Sequence, residues 1–103
     1  MNVFLKRRNG DAEAQGIYDE STGTLTVLKG SKVSDQVHRT DKFRSANAIE
    51  ETREKFVNNG IVKEDVLFKS PSTAANFVTG SSTNGLTAWK TKDGVTLKEA
   101  IKH

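Results

Sequence analysis

Ser70, Ser72 and Thr73 place three hydroxyls at the start of a stretch that reads as a helix, and Lys69 stands directly before them. The chemistry open to such a group is anion binding. Hydroxyls and the free backbone N–H groups of a first helical turn can hold a phosphate oxygen while the lysine supplies charge. Helix capping accounts for the same residues without a ligand, since Ser70 suits the cap, Pro71 the first helical position and Gly80 the left-handed stop. Further along, Asn84-Gly85 is followed by Trp89, Lys90 and Lys92. An indole can stack on a base while the neighbouring lysines take phosphates, whereas a lone tryptophan in a core position buries its ring and bonds its N–H.

Two further basic groups, Lys6-Arg7-Arg8 and the set Lys29, Lys32, Arg39, Lys42 and Arg44, form either a solvated surface or a phosphate footprint. The net charge is only +3, but it is unevenly spread. Residues 29 to 44 hold five Lys or Arg against two Asp, and residues 69 to 103 hold five against two acids, while residues 46 to 67 are net acidic. A shared face for the two basic segments would carry a local field larger than the net charge implies.

Other chemistries are poorly supplied. The chain has no cysteine, which removes thiol catalysis, disulfides and thiolate metal sites together. Its two histidines, His38 and His103, have no carboxylate at metal-ligand spacing. No serine sits in a Gly-x-Ser-x-Gly setting. Gly16-Ile17-Tyr18 repeats the opening tripeptide of the GIY-YIG nucleases, but that family needs a second tyrosine-containing segment and this chain has a single tyrosine. The expectation is a protein that is not an enzyme and has no metal and no cofactor. Met1 to Arg8 has too few apolar residues for an export signal or a membrane span, so a cytoplasmic protein without a membrane partner is expected.

At 103 residues the chain is expected to form one domain spanning residues 1–103. Alternating apolar residues predict strands over Val3–Arg8, Ala12–Tyr18 and Leu25–Val27, with Glu20-Ser21-Thr22-Gly23 as a hairpin turn. Gly30 to Ser45 lacks a clean period and reads as a long loop. A helix is predicted over Ala46–Asn59, stopped by Asn58-Asn59-Gly60, then a strand over Ile61–Lys69 and the Ser70 helix with Ala74, Phe77 and Val78 inward. Asn84-Gly85 reads as a turn, Leu86–Thr91 as a strand, and Thr96 with Glu99 as a capping box opening a short last helix. The class is α+β, a small antiparallel sheet with a main helix and two short ones, in the order β-β-β-α-β-α-β-α.

Several of these residues together carry a resemblance. They are Gly30-Ser31 after an apolar strand, Arg53 and Phe56 ahead of Gly60-Ile61, Phe68-x-Ser70-Pro71-Ser72-x-Ala74-Ala75, Gly80, Asn84-Gly85 and Trp89-Lys90. Their arrangement resembles DUF4357, a bacterial and archaeal domain of unknown function that occurs alone or C-terminal to GIY-YIG-type nuclease proteins. It is also similar to the RAMA module, the restriction enzyme and adenine methylase associated domain. The resemblance implies an accessory module that recognises DNA, including methylated DNA, rather than a catalyst. One departure is Leu86, where the family pattern carries tryptophan after Asn-Gly.

The expectation that follows is a non-catalytic DNA-associated module with duplex DNA, and a nuclease or methylase protein, as partners. The candidate nucleic-acid-binding residues are Lys29, Lys32, Arg39, Lys42, Arg44, Lys69, Ser70, Ser72, Asn84, Trp89 and Lys90. The alternative is a protein-interaction or stabilising module, which an apolar patch centred on Leu86 or Phe43 would favour.

Overall fold

The computed structural model describes residues 1–7, 10–35, 37 and 46–102. Strands β1 (Asn2–Lys6), β2 (Glu13–Asp19) and β3 (Thr24–Val27) are followed by helix α1 (Ala46–Phe56), strands β4 (Val57–Asn58), β5 (Ile61–Val62) and β6 (Val66–Phe68), and helices α2 (Pro71–Thr79), α3 (Gly85–Ala88) and α4 (Leu97–Ala100). The main sheet is antiparallel with strand order β1-β2-β3-β6, and β4 and β5 form a separate hairpin. The α+β class holds, with a different order in the second half.

Strict alternation builds the sheet. Val3 and Leu5 of β1, Ala14 and Tyr18 of β2 and Leu25 and Val27 of β3 face inward and are buried. Asn2, Phe4 and Lys6 and, across from them, Ile17, Gln15 and Glu13 face outward. The inner face is covered by α2, whose Ala74, Ala75, Phe77 and Val78 are all buried, and the Phe68 and Phe77 rings meet at 4.9 Å between centroids. Gly16 leaves the space into which Trp89 packs: a Cβ there would lie 3.4 Å from Trp89 Cζ3 and 2.8 Å from Leu25 Cδ2. The Gly16-Ile17-Tyr18 tripeptide is thus part of β2, with its glycine under the indole.

Three elements differ from the sequence reading. The main helix stops at Phe56, and Asn59 (φ 53°) and Gly60 (φ 80°) form the two-residue turn of the β4–β5 hairpin rather than a helix stop. Two successive positive φ values make this the tight turn that Asn-Gly prefers. The expected strand over 61–69 is split by Lys63-Glu64-Asp65 into β5, paired with β4, and β6, paired with β3. The expected strand over 86–91 is mostly helix: Leu86 lies in α3, and only Lys90 bridges like a strand, to Phe4 and to Thr96. The front of the expected loop is also knitted in, because Lys32 bridges Glu13 on one side and Ile61 on the other.

The C-terminal end of α2 is held from three directions. Ser34 donates its amide to Val78 O (2.9 Å) and its hydroxyl to Thr79 O (2.7 Å), and Gly80, at φ 72°, closes the helix in the left-handed conformation. Arg53 of α1 donates Nε and Nη2 to Phe77 O at 3.0 and 2.7 Å, and Nη1 to Ser34 O at 2.8 Å. Burial pulls this guanidinium below its ordinary value, with nearby Glu50 opposing the shift. A planar fork at the negative end of a helix satisfies several last-turn carbonyls at once. Arg53→Met is therefore expected to cost about 3 kcal/mol in urea unfolding, and Arg53→Lys to recover less than half of that, since one ammonium cannot reproduce the fork.

Candidate nucleic-acid interface

Beside β1 lies a cleft of about 680 Å³. One wall is Phe4 to Arg7. The opposite wall is the segment after α3, drawn in because Phe4 and Lys90 exchange both backbone bonds (Phe4 N to Lys90 O 2.7 Å, Lys90 N to Phe4 O 2.8 Å). Such a directly opposed pair puts both side chains on one face, so Lys90 stands beside Phe4, and Lys6 joins them two residues along the strand. The turn through Asp93-Gly94, closed by Thr91 N to Val95 O (2.8 Å), brings Lys92 to the rim.

The floor is made of hydroxyls. Thr79 Oγ1 and Thr83 Oγ1 are 2.8 Å apart, Thr83 Oγ1 donates to Ser81 O (3.0 Å), and Thr83 N donates to Asn76 Oδ1 (2.8 Å). Arg7 reaches across to Thr79 O (3.3 Å) and is 3.5 Å from Asp11 at its other side. Lys6, Arg7, Lys90 and Lys92 thus line one cleft with the hydroxyls of Thr79, Ser81, Thr83, Thr87 and Thr91. Among the described residues no carboxylate lines it. The cations suit a polyanion by charge, while the hydroxyls of Thr79, Thr83 and Thr87 bond to the chain's own Ser81 O and Asn84 O.

The candidate residues named from sequence fall into several places. Lys90 lies in this cleft, and Lys29 and Lys32 line an adjoining groove of about 380 Å³ that shares Phe4 with it. Lys69 lines a separate groove beside α1 and β6, and Ser70, Ser72 and Asn84 sit instead at the starts of α2 and α3. There Ser70 Oγ accepts from Thr73 N (3.2 Å), Ser72 Oγ accepts from Gly85 N (3.0 Å) and Asn84 Oδ1 accepts from Leu86 N (3.0 Å), so these polar groups close the chain's own helix starts. Arg39, Lys42 and Arg44 lie outside the described residues, as do Arg8, His38, Phe43 and His103.

Trp89 needs a correction. Its ring is 0% exposed and its Nε1–H donates to Pro71 O at 3.0 Å, so no indole face is presented to a base. The core use of a lone tryptophan is the one realised here. Leu86 is half-buried and packs against the same core.

Sequence reasoning did not single out Phe4 for the site, nor pair Lys6 and Arg7 with Lys90 and Lys92. The available signal was the alternation of β1, which puts Phe4 and Lys6 on the same side. The pairing of that strand with residue 90 has no local signature.

No helix among the described residues is long and apolar enough to cross a membrane. No curated protein and no solved structure matches the chain. Residues 3–101 match the family model described as a domain of unknown function, DUF4357, and with nearly its whole length covered the chain belongs to that family.

Proposed function

We propose that this domain is a non-catalytic module that associates with DNA, serving as an accessory to a restriction or modification enzyme. The observation that carries the reading is the convergence of Lys6, Arg7, Lys90 and Lys92 on one cleft whose remaining polar lining is hydroxyl. Cations there neutralise phosphates and release condensed counterions, so affinity falls steeply with salt. The restriction or modification context rests on the resemblance drawn from the sequence.

Fluorescence anisotropy of labelled duplex DNA, plain and carrying N6-methyladenine, titrated across salt concentrations, tests the reading. Lys6→Ala with Lys90→Ala is expected to reduce the slope of log affinity against log salt by about 2, close to one for each phosphate no longer neutralised. Preference for the methylated duplex would make the domain a reader of modified DNA. Binding that is independent of salt, or absent at low salt, would overturn DNA association. The triple variant Arg39→Ala, Lys42→Ala and Arg44→Ala measures the share carried by the segment from 39 to 44.

A protein-interaction module is the second reading, and one feature favours it. Ile17, Thr26 and Leu67 form a row across the outer face of the sheet, and Leu67 is 67% exposed. This row runs from β2 across β3 to β6 and does not include Leu86. Failure of all DNA binding at low salt would turn the search for a partner to this row.

A further inference from the structure

Phe4 occupies a position that phosphate contact alone does not explain. Its side chain is on the outer face of β1, 36% exposed, and it forms the wall shared by the 680 Å³ cleft and the 380 Å³ groove. Cations flank it on both sides. Lys90 is directly opposite on the neighbouring segment and Lys6 is next on the same face. On the far side, Glu13 exchanges both backbone bonds with Lys32 (2.9 and 2.8 Å), which places Lys32 in the same row as Lys6, and Lys29 lines the same groove.

From the Lys90 segment through β1 and β2 to the Lys32 segment, chains about 4.8 Å apart span roughly 14 Å of open sheet. Glu13 is the acid on this stretch, and it is set between Lys6 and Lys32. Opposite Phe4 on β2 stands Gln15, whose exposed side-chain amide offers both a donor and an acceptor.

An exposed aromatic on an open sheet, with lysines to either side and an amide beside it, is suited to one kind of ligand chemistry. A base lies flat on the ring, its edge bonds to the amide, and the phosphates on either side of it meet the lysines. A base inside a duplex cannot do this, because its faces are already stacked on its neighbours. We propose that Phe4 is a stacking platform for an unpaired base, with Gln15 bonding the base edge, and that the stretch held between the two basic grooves is single-stranded DNA. This rests on the DNA reading above and narrows it.

The test compares a labelled single-stranded DNA 12-mer of mixed sequence, its duplex and an RNA of the same sequence, using the wild-type chain, Phe4→Ala and Phe4→Tyr. The single strand is expected to bind more tightly than the duplex. Phe4→Ala should weaken single-strand binding about tenfold and by more than it weakens duplex binding, with Phe4→Tyr close to wild type. Thermal melting of both variants checks folding, and Phe4→Tyr keeps the test usable if the alanine variant is unstable. Salt-dependent binding that ignores Phe4, or tighter binding to the duplex, would overturn the stacking role and leave the phosphate reading standing. Tighter binding of the RNA would overturn the assignment to DNA. No binding of any oligonucleotide at low salt would overturn both.

Discussion

Gly85→Ala is expected to destabilise the protein by about 3 kcal/mol or more, although only one methyl group is added. A Cβ at position 85 would lie 2.1 Å from the carbonyl carbon of Pro71 and 2.3 Å from both Pro71 O and Ser72 N. These are backbone atoms of the first turn of α2 and have no side-chain rotation by which to yield. The same contact is fixed from the other direction by the bond from Gly85 N to Ser72 Oγ (3.0 Å), so relieving the overlap also breaks a half-buried hydrogen bond. Urea unfolding followed by the emission of Trp89, the chain's one tryptophan, should show a lower midpoint and a red-shifted native spectrum. A wild-type midpoint would mean that α3 does not rest on the Pro71–Ser72 peptide.

Trp89→Ala is the other large effect, expected at about 3–5 kcal/mol for the cavity left by a fully buried aromatic. The glycine at 16 contributes no side chain of its own to fill that cavity. Trp89→Phe separates volume from hydrogen bonding. It retains most of the packing but leaves Pro71 O without the indole donor, for an expected loss of about 1–3 kcal/mol. Since the ring is enclosed, the proposed association with DNA is expected to be unchanged in the folded phenylalanine variant. A selective loss of DNA binding at unchanged stability would return Trp89 to the interface.

These two residues show how far the sequence could be read. Ser70-Pro71 and Gly80 mark both ends of α2 by local chemistry, and the structure has the helix between them. The alternation over β1 to β3 likewise marks these segments as strands, because burial on one face imposes a period of two. Helix α3 has no such signature. At four residues it is too short to be stable by propensity, and it forms because Asn84 caps it and Ser72, distant in sequence, holds the amide of Gly85. Leu86, Ala88 and Lys90 therefore pass for an alternating strand.

The same limit applies to the site. That lysines and hydroxyls were available was plain, but which of them meet depends on the Phe4–Lys90 pairing between opposite parts of the chain. The motif around Ser70, Asn84 and Trp89 attracted a functional reading because its residue types suit nucleic acid. Its geometry is that of a clasp between two helices. Arg53 was visible as part of the family pattern, but nothing near it in sequence indicates that its partners are Phe77 and Ser34.

The Phe4–Lys90 pairing also bears on how the molecule comes into being on the ribosome. Within this domain β1 is made before the segment that covers its outer edge and before the indole that fills the hollow over Gly16. Until then β1 presents unpaired backbone groups along that edge. The nascent domain must carry that adhesive strand until residues 89 and 90 have been made, so crowding and slow translation ahead of residue 89 are the conditions under which this domain would aggregate.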